Sequence, residues 1–187
     1  NGFGEAPEKA AETIRLAIEV GLAGGSIEDA SGDSAKPIYD FNLAVERFAA
    51  AVEAVRAQDI PFTLTARAEN FLLGRADLDD TIKRLQAFEK AGADVLYAPG
   101  LPSLKAIKEV CSAVTCPVNV LAGPAFTLKQ LEDAGVKRVS VGSALCLSAL
   151  AAFAKSAHEI KDFGTFNFAK DAYPFGEINK LTNEEPR

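Results

Sequence analysis

The sequence predicts an α/β protein built on a parallel sheet covered by helices, and three observations lead there. Five short apolar stretches alternate with helix-periodic segments along the 187-residue chain. Each stretch runs straight into the next helix, as parallel crossover connections require. No GxGxxG or GxxxxGK(S/T) fingerprint stands at any of those junctions. That weighs against a doubly wound nucleotide-binding sheet and toward a (β/α)8 barrel.

The elements follow in order. EKAAETIRLAIEV (8–20) carries Ala10, Ile14, Ala17 and Ile18 on one helical face, and glycines at 21, 24 and 25 end it before a first strand closing in SIEDA. Residues 40–56 repeat the helical pattern through Phe41, Val45, Phe48, Val52 and Val55, and PFTLTARAE reads as the second strand. Asp77 caps a helix with Leu78, Ile82, Leu85 and Phe88, stopped by Gly92. ADVLYAPG is the third strand, followed by a Ser103-capped helix; PVNVLAG is the fourth. Thr127 and Gln130 form a capping box ahead of Leu128 and Leu131. VKRVSVG is the fifth strand and leads into a long helix from about Ala144.

A barrel of this kind takes ~250 residues. Five units therefore imply three more ahead of Asn1. A chain without Met that opens on NGFGEAP fits the same expectation, that of a piece of a longer protein. Residues 1–161 are read as the partial barrel and 162–187 as a C-terminal tail.

The net charge of −6 argues against nucleic acid and anionic membrane as partners. No apolar run approaches the ~20 residues of a bilayer span. Cys111, Cys116 and Cys146 form no CxxC pair and are expected as small buried thiols in a reducing cytoplasm. His158 sits in the last long helix, away from any strand end, and reads as a surface residue.

Barrel chemistry is done at the C-terminal ends of the strands. Those ends carry Glu28-Asp29, Arg67-Ala68-Glu69-Asn70, Ala98-Pro99-Gly100, Ala122-Gly123-Pro124 and Gly142-Ser143. Carboxylates beside an arginine suit a hydrated Mg²⁺ and a small anionic substrate gripped bidentately. On spacing alone, a salt bridge between Glu28 and Arg67 at the barrel mouth explains the same residues. Gly142 and Ser143 at a helix start are also compatible with a phosphate or with close helix packing.

GLAGGSIEDA, TARAENFLLGRADLDDTIKRLQAFEKAGADVLYAPG and RVSVGSAL resemble the isocitrate lyase / phosphoenolpyruvate mutase superfamily, from Asn1 to about residue 170. The resemblance implies a (β/α)8 barrel of that type, here with about five βα units. It implies a Mg²⁺-dependent lyase or phosphonomutase that makes or breaks a C–C or P–C bond in a small 2-oxo or 2-hydroxy acid. The family's third strand ends in an Asp-x-Asp/Glu-x-Gly-Tyr/Phe-Gly motif, whose last four positions match Asn1-Gly2-Phe3-Gly4, so the principal metal acids are expected upstream of Asn1. Glu28 matches the acid that holds the metal. Arg67 matches the substrate-binding arginine, with Glu69 beside it as a catalytic carboxylate and Asn70 as a further substrate contact. Family members also exchange their last helix between subunits, which implies a homodimer or homotetramer.

Two departures bear on the chemistry. ASGDSAKPIYD stands where lyases carry a KKCGH-type gating loop and mutase-like members place Lys and Asn or Thr, which only Lys36 or Ser34 approximates, and Ala98 stands where lyases tend to have Glu. A phosphate-binding aldolase-type barrel and a non-catalytic family member are the competing readings; no Lys occupies a strand end to serve the former. The loop from Ser31 to Tyr39 is expected to be a mobile lid.

Overall fold

The computed structural model describes residues 2–183. Asn1, the first of the four residues matched to the family motif, lies outside the described residues, as do residues 184–187. The chain falls into two compact units, Asn1–Val141 and Gly142–Arg187; the boundary read from the sequence, at 161/162, lies in the last turn of the long helix that opens the second unit.

In the first unit, α1 (Pro7–Glu19), β1 (Gly24–Glu28), α2 (Phe41–Arg56), β2 (Thr63–Arg67), α3 (Leu78–Ala91), β3 (Val95–Tyr97), α4 (Leu104–Ala113), β4 (Val118–Leu121), α5 (Leu128–Asp133) and β5 (Arg138–Ser140) follow one another. The five strands form one parallel sheet in chain order, β1-β2-β3-β4-β5. Sequential order without a reversal is the order of a barrel wall; a doubly wound sheet would reverse direction.

The caps explain where the helices start. Asp77 accepts from the Asp80 N–H, Ser103 from the Ala106 N–H, and Thr127 and Gln130 form the reciprocal box. Gly92 closes α3 at φ 111°, a left-handed turn that costs a β-carbon dearly.

Alternation along each strand separates two faces. Ile27, Leu64, Ala66, Leu96, Val118 and Val120 point outward and are buried in one core with Ile14, Phe48, Leu85, Phe88, Ile107 and Leu131 of the helices. The residues between them point inward and, Val95 and Leu121 apart, are largely polar: Glu28, Thr65, Arg67, Tyr97, Asn119, Arg138 and Ser140. This inner face curves. Arg138 Nη2 on β5 donates to Thr65 Oγ1 on β2 at 2.9 Å. Three strand spacings on a flat sheet amount to ~14 Å, beyond the reach of one arginine side chain.

The second unit holds α6 (Ala144–Phe163), a short 3₁₀ segment (Asn167–Asp171) and α7 (Phe175–Asn183). Within it α6 buries none of its side chains. Cys146 is accordingly exposed, against the expectation of a core thiol, while Cys111 and Cys116 are partly buried and all three are free. Among the described residues no helix is long and apolar enough to cross a membrane.

Candidate active site at the strand ends

Parallel register carries the residues of the site to one place. Glu28, the last residue of β1, pairs in register with Arg67, the last of β2, and Arg67 with Tyr97, the last of β3. Arg67 Nη2 lies 3.3 Å from Glu28 Oε2, and its Nε donates to Glu69 Oε1 at 2.8 Å. Its guanidinium also stands 5.1 Å from the centre of the Tyr97 ring. Glu69 is almost wholly buried, whereas Arg67 and Glu28 each keep about a quarter of their side chains exposed, at 26% and 25%.

Burial on its own would depress Arg67; the hydrogen bond to Glu69 and the charges of Glu69 and Glu28 override it and hold the guanidinium charged. Glu69 moves the other way. Burial, helped by repulsion from Glu28, pushes its carboxyl above the usual range despite the Arg67 hydrogen bond. Two carboxylates thus surround one arginine, leaving the cluster short of positive charge. Among the described residues no three acidic, His or Cys side chains gather into a complete metal cage. Glu28 and Glu69 are oxygen donors of the kind a hard divalent cation takes, and further ligands would have to come from elsewhere in the protein.

A second layer of charge holds this one. Asp29 is 2% exposed, and its Oδ1 accepts from the Glu69 N–H at 2.8 Å. Its Oδ2 accepts from Arg84 Nη1 at 3.1 Å, and the same Arg84 nitrogen donates to the Tyr39 carbonyl. Arg84 Nε reaches Asp80 Oδ2, which also accepts from Asn70 Nδ2, both at 2.8 Å. Asn70, expected at the substrate, is therefore buried with its amide engaged by Asp80, and its Oδ1 has no hydrogen-bond partner. The structure brings Glu28, Arg67 and Glu69 together and places Asn70 in the support behind them.

Asp29 yields a pH signature. Burial, the largest influence, raises its carboxyl from 3.8 to about 6, against the Glu69 N–H and Arg84. In that window the folded chain keeps a proton that the unfolded chain has released. Stability contributed by this group therefore falls as pH rises from 3.8 to about 6 and levels off above it. Urea midpoints measured across the window should show that slope, and Asp29→Asn should flatten it.

A family model for phosphoenolpyruvate phosphomutase matches residues 1–161. The chain belongs to that family. A solved structure of a Burkholderia cenocepacia J2315 protein of lyase/mutase type is 55% identical, with a TM-score of 0.93 over 98% of this chain and 67% of that one. The 2-methylisocitrate lyase of Escherichia coli (strain K12) is 33% identical over 146 residues, 72% of this chain and 48% of that enzyme. Phosphonopyruvate hydrolase, solved in complex with oxalate and Mg²⁺, shares the fold at 22% identity and a TM-score of 0.80, over 97% of this chain and 66% of its own. The chain thus spans about half the length of the lyase it matches. Its fold is the α/β barrel type of the phosphoenolpyruvate mutase and isocitrate lyase enzymes, of which the described residues hold five strands.

Within this family member the loop after β1 is more firmly tied than a free lid. Ala30 bridges Ile38, the Ser31 N–H donates to the Pro37 carbonyl at 2.9 Å, and the Tyr39 N–H to the Asp29 carbonyl at 2.8 Å. Ile38 and Tyr39 are buried. Arg47, also buried, stacks 4.5 Å over the Tyr39 ring and donates to the carbonyls of Gly4 and Glu5, fastening the start of the chain to the loop's end. Exposed side chains run only from Gly32 to Lys36, so any gating motion belongs to that tip. Ala98 is buried, leaving the third strand end without a polar side chain there.

Sequence reasoning missed Arg84, Asn119 and Arg138. An arginine on the apolar side of TIKRLQAF, and polar residues at the inward positions of PVNV and KRVS, were the signals available.

Proposed function

We propose that the full-length protein is a Mg²⁺-dependent enzyme that makes or breaks a C–C or P–C bond in a small 2-oxo or 2-hydroxy acid through an enolate-like intermediate. The observation that carries this reading is Arg67 held between Glu28 and Glu69 at adjoining parallel strand ends. Arg67 binds the substrate's acidic group and stabilises charge developing on the adjacent oxygen, a role that pays most where the donor is already fixed in place. Glu69, pushed upward by burial, is the carboxyl suited to carry a proton. Glu28 would help hold Mg²⁺ with acids outside this chain; the ion, when bound, supplies Lewis-acid stabilisation of the substrate oxygen.

The loop without Cys or His and the buried Ala98 favour a second reading, a family member that binds such acids without turning them over. A panel of 2-oxo acids, 2-hydroxy diacids and phosphonopyruvate, assayed on the full-length protein with Mg²⁺ and with EDTA, separates the two. Product formation abolished by EDTA is expected; binding without turnover across the panel would favour the second reading. Assembly belongs to the same proposal. Leu145, Leu147, Leu150, Phe153, Phe163 and Phe175 of the second unit are exposed in this chain, an apolar surface of the kind covered by a second copy in a homodimer or homotetramer.

A further inference from the structure

Behind the site, Asp29 engages its backbone and both oxygens of its side chain. Its N–H donates to the Arg67 carbonyl at 3.2 Å, and its carbonyl accepts from the Tyr39 N–H at 2.8 Å. Its Oδ1 accepts from the Glu69 N–H at 2.8 Å and its Oδ2 from Arg84 Nη1 at 3.1 Å. Asp29 therefore grips the exit of β2 on both sides of Ala68, at the carbonyl of one site residue and the N–H of the other. It also holds the far end of the loop that it begins, and Arg84 closes the ring by donating to the Tyr39 carbonyl.

Two features set this apart from a buried ion pair that only adds stability. The first is chemical. The Glu69 N–H and Arg84 are both donors, so both side-chain oxygens of residue 29 must accept. A carboxylate does so; the amide of Asn would turn its own N–H toward one of the two donors. The second is positional. The Asp29 side chain is wholly buried and out of reach of any ligand, yet the residues it grips are the pair joined through Arg67 Nε and Glu69 Oε1. The placing of that pair is set from behind, by the same residue that sets the base of the loop.

We propose that Asp29, fixed by Arg84, is a positioning residue for the reaction: it holds Arg67 and Glu69 in working geometry and ties them to the base of the loop 31–39. This rests on the functional reading above and deepens it. A shift of the β2 exit by about 1 Å would misdirect the Arg67 fork, and a misplacement of that size can cost about 10²-fold in an oriented site.

The test uses the full-length protein with Mg²⁺ and oxalate as the probe. Asp29→Asn should weaken oxalate about tenfold or more in calorimetry, although residue 29 touches no ligand. Amide hydrogen exchange should quicken together at Glu69 and Tyr39 by about tenfold, with the Leu96 amide, held by the Pro117 carbonyl on β3, within about twofold of wild type. Arg84→Lys keeps a cation beside Asp29 but cannot reach the Tyr39 carbonyl and Asp80 as well. It should show the same pattern more weakly, and serves if Asp29→Asn fails to fold. Unchanged oxalate affinity with a lowered unfolding midpoint, or exchange that quickens equally at all three amides, would overturn the positioning role and leave the Arg67 reading intact. Faster exchange at Glu69 without Tyr39 would overturn the tie to the loop. Failure of the wild-type protein to bind oxalate with Mg²⁺ would overturn the functional reading and this role with it.

Discussion

Arg67→Gln should lower kcat on the oxo-acid substrate by about 10²–10³-fold, the usual loss when one fixed donor to a developing negative charge is removed. Two effects combine here. The first is the lost fork toward the substrate, which is why Arg67→Lys should also fall well short of wild type despite keeping the charge. The second is internal: without the guanidinium, Glu69 and Glu28 face each other with Glu69 almost wholly buried, and the already raised Glu69 carboxyl is driven further toward its protonated form. A proton taken up at Glu69 also removes a negative group from the neighbourhood of any bound cation. The variant's loss should therefore be partly relieved at higher pH, where Glu69 ionises again. Turnover of Arg67→Lys equal to wild type would remove Arg67 from the site.

Arg84→Ala should cost about 3–5 kcal/mol of stability, the range for removing one partner of a buried ion pair. Its side chain is 7% exposed and that of Asp29 not at all, so the abandoned carboxylate cannot be rehydrated. Against a total stability of about 5–15 kcal/mol, that is a large share. The same residue holds the Tyr39 carbonyl and Asp80, so the loop end and the start of α3 lose an anchor together. Combining Arg84→Met with Asp29→Leu should recover part of the loss, since two apolar side chains leave no unpaired charge behind. Recovery stays incomplete because the Glu69 N–H loses its acceptor. Denaturant midpoints of the single and double variants measure this; a loss under about 1 kcal/mol for Arg84→Ala would show that water reaches Asp29.

The wall of the fold was readable because its signals are local. Thr127 and Gln130 are three residues apart, and their reciprocal hydrogen bonds form as the spacing requires. Asp77 and Ser103 cap as expected. Asp40 shows the limit of such reasoning: it stands at the N-terminus of α2 without capping it, its carboxylate being held by Lys36 at 2.6 Å. The helix at Phe175–Asn183 went unread, because a glycine at its second position and a run of scattered aromatics hide its periodicity.

The candidate site divides in the same way. Glu28, Arg67 and Glu69 were legible since each sits at or next to a strand end, where chain order alone predicts proximity. Arg84 and Asp29 are 55 residues apart, and Arg138 and Thr65 are 73 apart. Those contacts depend on helix rotation and sheet curvature, which no pattern along the chain records. Asn70 adjoins that cluster in sequence, but its amide nitrogen donates to Asp80 of α3, a contact that chain order does not record.

The central claim is that the Glu28–Arg67–Glu69 cluster is one half of a Mg²⁺ and oxo-acid site. Calorimetric titration of oxalate into the full-length protein, with and without Mg²⁺ and for wild type and Glu28→Gln, tests it most directly. An acid-rich cluster should admit the dianion only after a cation has offset it, so oxalate should bind with Mg²⁺ and fail to bind in EDTA. Glu28→Gln should weaken Mg²⁺ about tenfold or more with the fold intact. Oxalate binding of equal strength in EDTA, or Mg²⁺ affinity unchanged by Glu28→Gln, would contradict the account.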